Sequence, residues 1–231
     1  MRNDIAYLVI DMQQEDGFHL QDFETVIDNS VALIDAARAA GIPLIYTRHV
    51  NNADASGLPL GEPLGSAGRP ANYCSGTRQV EILERLAPQP GDQVIDKSRY
   101  SCFHRSELDA LLKRLGVSRL IVSGVLTDAC VLATVFDAFA LGYRVDLIAD
   151  ACTSTTAAAH YSALLIMANW VYAIELFSCE QYLRALRGEA CVSCKPEAPD
   201  LFAHQPEKFA QTIARLQSSL HPQRPAQESE Q

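Results

Sequence analysis

The chain predicts an α/β protein: a three-layer α/β/α arrangement around a six-stranded, mostly parallel sheet. Strand-like and helix-like segments alternate six times. The strand segments are apolar almost throughout, which a sheet needs when helices cover both of its faces. Two of the helical segments close on a glycine, Gly41 and Gly116, which suits a helix end that turns back into the next strand.

Composition sets the outer limits. At 231 residues with 48% hydrophobic and 20% charged positions, the chain suits one domain with an ordinary core. A formal net charge of −9 and the lack of a basic run argue against a nucleic-acid partner. The longest apolar passage, Ala157 to Phe177, is broken by His160, Asn169 and Glu175. It also changes period midway, so it reads as a helix followed by a strand and not as a membrane span. Seven cysteines is an odd number, and the first residues lead into a strand without a signal-peptide pattern. Reduced thiols and a cytoplasmic location are expected from that. Cys191-Val-Ser-Cys194 lacks a second pair of ligands at zinc-site spacing, so it reads as two linker thiols.

The elements follow in order. Ala6 to Met12 is a buried strand carrying Asp11 near its end, followed by a polar patch, Gln13 to Asp16. Phe23 to Ala40 is an amphipathic helix, and Ile42 to Val50 is the second strand. Residues 51–76 form a long aperiodic loop, expected to wall a pocket. A helix is expected from Gly76-Thr77 through Leu86, then a strand from Gln93 to Lys97. Ser106 caps a helix to Leu115. Leu120 to Gly124 is the fourth strand, running into Thr127-Asp128-Ala129-Cys130 and another helix. Tyr143 to Ala149 and Val171 to Leu176 are the last strands. A helix from Ala157 to Met167 lies between them, and one from Cys179 to Leu186, capped by Ser178, follows. One more helix is expected over Pro206 to Leu220, and a frayed end from Pro222. This divides the chain into a domain, 1–187, and a C-terminal extension, 188–231.

In parallel sheets of this kind, ligands bind beyond the carboxyl ends of the strands, where the strand order reverses. Asp11, Lys97 and Cys130 all lie at or just past such ends, which places three chemically active groups on one edge. A cysteine nucleophile needs a base, a favourable charge and donors for an oxyanion. Asp11 can be the base and Lys97 the charge. The amides of the turn before Cys130 can be the donors. The start of the following helix is also expected to favour the thiolate. The competing reading of Cys130 is an inert core thiol. A non-catalytic small-molecule binding module is the alternative from another class. The junction after Asp11 has no glycine-rich phosphate turn to support it.

Three motifs in order, VIDMQ (9–13), DKSRYSCF (96–103) and SGVLTDACV (123–131), resemble the isochorismatase-like cysteine hydrolases. The likeness runs from about Ala6 to Leu186. It implies the hydrolase fold of that family and a catalytic triad of Asp11, Lys97 and Cys130. It also implies a cis peptide at Val125–Leu126 and an oxyanion hole from the amides of Leu126 and Cys130. The nearest branch by motif is the N-carbamoylsarcosine, ureidoacrylate and maleamate amidohydrolases. Their likeness implies ammonia release from a small amide or carbamoyl substrate through a thioester. A vinyl-ether hydrolase is the alternative within the family. Nicotinamidases carry Asp-x-His after the second strand, whereas this chain has Tyr46-Thr-Arg-His-Val-Asn-Asn52. No metal and no cofactor are therefore expected. Tyr100, Phe103, Thr155, Arg48 and Arg99 are the candidate substrate contacts, His160 is read as structural, and assembly into two or four copies is implied.

Overall fold

The computed structural model describes residues 4–14, 17–203 and 205–220. Among them, six strands form one sheet: β1 (Ile5–Ile10), β2 (Leu44–His49), β3 (Gln93–Lys97), β4 (Arg119–Val125), β5 (Arg144–Thr153) and β6 (Ile174–Phe177). Every pairing between them is parallel, and the order is β3-β2-β1-β4-β5-β6. This is a doubly wound sheet whose order reverses between β1 and β4, so the switch point lies where those two strands end. The helices are α1 (Phe23–Ala39), α2 (Leu108–Arg114), α3 (Leu132–Ala140), α4 (Ala157–Trp170), α5 (Cys179–Leu186) and α6 (Phe209–Leu220).

The two faces of the sheet feed two separate cores, and β1 shows how. Its odd residues, Ile5, Tyr7 and Val9, pack with α1 and α5, while Ala6, Leu8 and Ile10 pack with α2, α3 and α4. A strand alternates its side chains with period two, so an all-apolar strand must have cover on both sides. Helix-to-strand returns are tight. After α1, the Gly41 N–H reaches Arg38 O and the Ile42 N–H reaches Ala37 O, with Gly41 at φ 67°. That is a Schellman ending, and it needs a residue tolerant of the left-handed conformation.

Several boundaries differ from the sequence expectation. Residues 77–86 hold no α-helix but two short 3₁₀ turns, Arg78–Val80 and Glu84–Leu86. The intervening backbone instead bonds to the chain leaving β1: Gln14 N–H to Glu81 O, and Leu83 N–H to Met12 O. Tertiary pairing has overridden a helix-compatible pattern. Helix α2 begins at Leu108, two residues after Ser106, whose hydroxyl accepts from the Leu108 N–H at 3.2 Å. Ser178 does cap α5, accepting from Gln181 N–H. The glutamate and aspartate that close the patch after Asp11, residues 15 and 16, and the end from 221 onward lie outside the described residues.

The residues after α5 pack back on the sheet and its helices. Phe202, Leu216 and Leu220 are buried in the core shared with α3 and α4. Asn169, the polar interruption in α4, accepts from the Phe202 N–H at 2.7 Å. Cys194 is buried and pairs both of its backbone groups with Leu176 of β6, while Cys191 is exposed. Among the described residues no helix is long and apolar enough to cross a membrane.

Candidate active site

The end of β1 is shaped by a close approach. Gly124 of β4 sits opposite Ile10 at φ 121°, and a Cβ there would stand 2.0 Å from the Ile10 carbonyl oxygen. Only glycine lets the two strands meet so tightly at the switch point. Asp11 then turns out of the strand at φ 50°. Its Oδ1 accepts from the Thr47 hydroxyl at 2.8 Å, and its Oδ2 lies 2.6 Å from Lys97 Nζ. The Lys97 side chain, fully buried, reaches past the end of β2 to get there. It donates to Cys130 Sγ at 3.3 Å and to the Arg99 carbonyl at 3.0 Å. Asp11, Lys97 and Cys130 are thus in one buried cluster.

Cys130 does not open an α-helix. It lies in a π-helical turn, Thr127–Val131, that follows a cis Val125–Leu126 peptide and precedes α3. The Leu126 carbonyl closes the turn, accepting from the N–H groups of Ala129 and Val131, both at 3.1 Å. The Thr134 hydroxyl then donates to the Cys130 carbonyl at 2.6 Å. From the α4 side, His160 Nδ1 meets the Thr127 hydroxyl at 2.8 Å, and Ser154 donates to Asp128 Oδ1 at 2.5 Å.

The electrostatics correct one expectation. Burial, followed by the Asp11 carboxylate, pushes the Cys130 thiol well above its ordinary range, and Lys97 only partly opposes this. Burial works against the Lys97 charge, yet Asp11 and the two nearby sulfurs hold its pKa above the usual lysine value. Charge counting gives the reason. A carboxylate, an ammonium and a thiol sum to zero, whereas a second anion would leave a net buried charge. Cys130 rests as a thiol, and moving its proton to Asp11 keeps the cluster neutral.

One residue of the cluster escaped the sequence reading. His49, the last residue of β2, is 6% exposed and is the register partner of Lys97. One ring nitrogen, an Asp11 oxygen and Cys130 Sγ all lie within 4.8 Å of one another. That spacing could hold a metal ion, but the Lys97 ammonium is already 2.6 Å from the carboxylate and would repel a cation. Gln13 fixes the backbone of His49 from both sides, donating to its carbonyl at 3.0 Å and accepting from its N–H at 2.8 Å. The Tyr73 ring packs 5.1 Å from the imidazole, so the 51–76 loop covers this flank. Burial, then Lys97, pushes the His49 pKa down to about 4, leaving it neutral at ordinary pH.

The expected substrate contacts are scattered. Arg48 spends its guanidinium on Asp96, in a pair of hydrogen bonds at 2.7 and 2.8 Å. Arg99 donates to the carbonyls of Ser98 and Gly57. Phe103 stacks on Tyr143, 5.8 Å away, and packs against the core. Thr155 is exposed just beyond β5, and Tyr100 is exposed on the loop after Lys97. A cavity of about 760 Å³ is lined in part by Gln14, Arg69, Cys74 and Arg78, and by none of the three clustered residues. Arg69 and Arg78 line this cavity, and Arg48 and Arg99 do not.

Fold and site together define a doubly wound α/β protein with a thiol, a carboxylate and an ammonium buried at its switch point. The chain belongs to the isochorismatase family: the isochorismatase domain model matches residues 6–175. It is 30% identical over 193 residues to nicotinamidase 3 of Arabidopsis thaliana, covering 79% of this chain and 89% of that protein. It is 30% identical over 200 residues to a ureidoacrylate amidohydrolase of Variovorax paradoxus, covering 76% of each. The crystal structure of a cysteine hydrolase from Pseudomonas syringae pv. phaseolicola 1448A superposes with a TM-score of 0.72 at 25% identity. It covers 80% of this chain and 93% of that one.

Proposed function

We propose that the protein is a cysteine-dependent amidohydrolase that cleaves the C–N bond of a small amide or N-carbamoyl compound and releases ammonia. The observation that carries this reading is the Lys97 ammonium, held 2.6 Å from the Asp11 carboxylate and 3.3 Å from the Cys130 sulfur. The names of the relatives, a nicotinamidase and a ureidoacrylate amidohydrolase, point to the same bond.

The mechanism follows from the neutral cluster. Asp11 takes the Cys130 proton as the sulfur attacks the amide carbon, so no net charge is created among the buried groups. The oxyanion is received by the Leu126 and Cys130 amides. Asp11 returns the proton to the departing nitrogen, the C–N bond breaks, and a thioester on Cys130 remains for water to cleave. Lys97 stays charged and holds Asp11 in place. Carbamoyl and ureido substrates fit better than nicotinamide, because Tyr46-Thr-Arg-His-Val-Asn-Asn52, at the end of β2 and just beyond it, lacks the Asp-x-His of nicotinamidases. A vinyl-ether substrate would release no nitrogen. Assembly into two or four copies is a further proposal, checked by mass in solution.

Screening primary amides and carbamoyl compounds for ammonia release tests the reading. A hit should lose turnover in Cys130→Ala. Ammonia release that survives this substitution removes Cys130 from the reaction.

A further inference from the structure

The cavity lined by Arg69 and Arg78 holds two positive charges and, among the described residues, no aspartate or glutamate. Both guanidinium heads lie at its wall, because each bonds to another lining residue. Arg69 Nη2 donates to Cys74 Sγ at 3.3 Å, and Arg78 Nε donates to Gln14 Oε1 at 2.5 Å. Neither has a carboxylate partner among the described residues, whereas Arg38, Arg48, Arg85, Arg119 and Arg187 each pair with one. A guanidinium cannot shed its proton, so two of them on one concave wall attract an anion. The chain as a whole repels anions, with a formal net charge of −9, which makes this wall an exception. The lining also limits what fits. Gln14 spends its oxygen on Arg78 and keeps its amide –NH2 as a third donor. Pro70, Ala71 and Leu83 add an apolar side, and the volume of about 760 Å³ falls among small-molecule sites, ~300–1,000 Å³.

We propose that this cavity binds a small organic dianion, a phosphate ester or a dicarboxylate, with its oxyanion on Arg69 and Arg78 and its carbon body against Pro70, Ala71 and Leu83. The site is distinct from the catalytic cluster and does not depend on what that cluster hydrolyses. It joins three stretches of chain: Gln14 just past β1, Arg69 in the long loop, and Arg78 in the first 3₁₀ turn after it. Those stretches also wall the cluster. Tyr73 packs on His49 while the next residue, Cys74, lines the cavity. The Gln79 carbonyl accepts from Gln13, which clamps the His49 backbone. A bound dianion therefore fastens the loop to the exit of β1 on one flank of the cluster.

The test titrates the protein with inorganic phosphate and, separately, with succinate, holding ionic strength constant with sodium chloride. Calorimetry should show one anion bound per chain with a Kd of about 5 mM or tighter, since the bare anions lack the apolar body. The tighter of the two tells a phosphate ester from a dicarboxylate. Arg69→Gln and Arg78→Gln should each weaken that binding at least about tenfold. Both side chains are exposed, so the variants should unfold at the parent's midpoint in chloride alone. Amide exchange should slow on binding at Gln14 and across residues 69–83. A second basic lining, with Lys208 and Arg215 at α6, serves as the internal control and should not respond. Weaker binding of both anions, unchanged affinity in either variant, or slowed exchange confined to residues 205–215 would overturn the site.

Discussion

Two histidines flank the turn that carries Cys130, His160 half-buried and His49 buried, and their difference explains how the site is built. His160 meets the Thr127 hydroxyl at 2.8 Å and packs edge-on against Tyr161. Burial pushes its pKa down to about 4, and Asp128 opposes that. His49 reaches the same low value, but its neighbours are the ammonium, carboxylate and thiol of the cluster. Burial neutralises both rings, so a depressed pKa does not separate structure from chemistry here. The company each ring keeps does. One flank of the turn is a neutral brace, and the other is a set of charges balanced to zero.

Breaking that balance should have the largest effect. Lys97→Met leaves Asp11 buried without its partner, a loss of about 3–5 kcal/mol in stability. Asp11 would also lose the contact that holds it beside Cys130, and turnover should fall about a thousandfold. Chemical denaturation and kinetics on one preparation would check both. A Lys97→Met protein as stable and active as the parent would mean the cluster charge is idle.

The next effect is geometric. Gly124→Ala puts a methyl group into the Ile10 carbonyl, at a φ that strains alanine as well. Stability should drop about 1–3 kcal/mol and kcat about a hundredfold, because the end of β1 carries Asp11. A crystal structure of the variant should show Asp11 displaced from Lys97. Unchanged activity with an unmoved Asp11 would contradict this.

The smallest effect compares the two flanks through pH. An unfolded histidine titrates near 6.5, whereas both of these titrate near 4 in the fold. Between those values the unfolded chain binds protons that the folded one refuses. Stability is therefore intact above pH 6.5 and is lost as pH falls toward 4, at about 1.4 kcal/mol per pH unit for each histidine. His160→Gln should flatten this acid limb by about half while leaving turnover within a few-fold. Denaturation midpoints measured from pH 7.5 to 4 would show it, and an unchanged limb would remove His160 from the account.

Much of this was legible from local pattern. Six strands, their parallel sense and the edge on which Asp11, Lys97 and Cys130 meet follow from apolar runs and strand ends, whereas the strand order does not. The errors have physical causes. Residues 77–86 carry helix-like spacing, but their backbone bonds to the chain leaving β1. Cys130 seemed to open a helix that would favour the thiolate, whereas a π turn holds it where burial and Asp11 dominate. His49 lies in a stretch whose sequence signal is the absence of a metal motif. It nonetheless ends a strand on the same edge as Lys97, its register partner, and strand-end position is the signal that marks both. The surface pairing of Arg48 with Asp96 depends on the β2–β3 register, which no local pattern encodes.

The claim at the centre of the account is that the Cys130 sulfur carries the substrate carbon during turnover. Acid quenching the protein during steady hydrolysis of an ammonia-releasing amide, then mapping the adduct by mass spectrometry, measures this directly. The account predicts an acyl or carbamoyl group on the peptide that contains Cys130 and an unmodified Cys102. Cys102 is a fully buried neighbouring thiol whose pKa burial pushes up to about 11. Turnover with no adduct on Cys130, or with the adduct on Cys102, would contradict it.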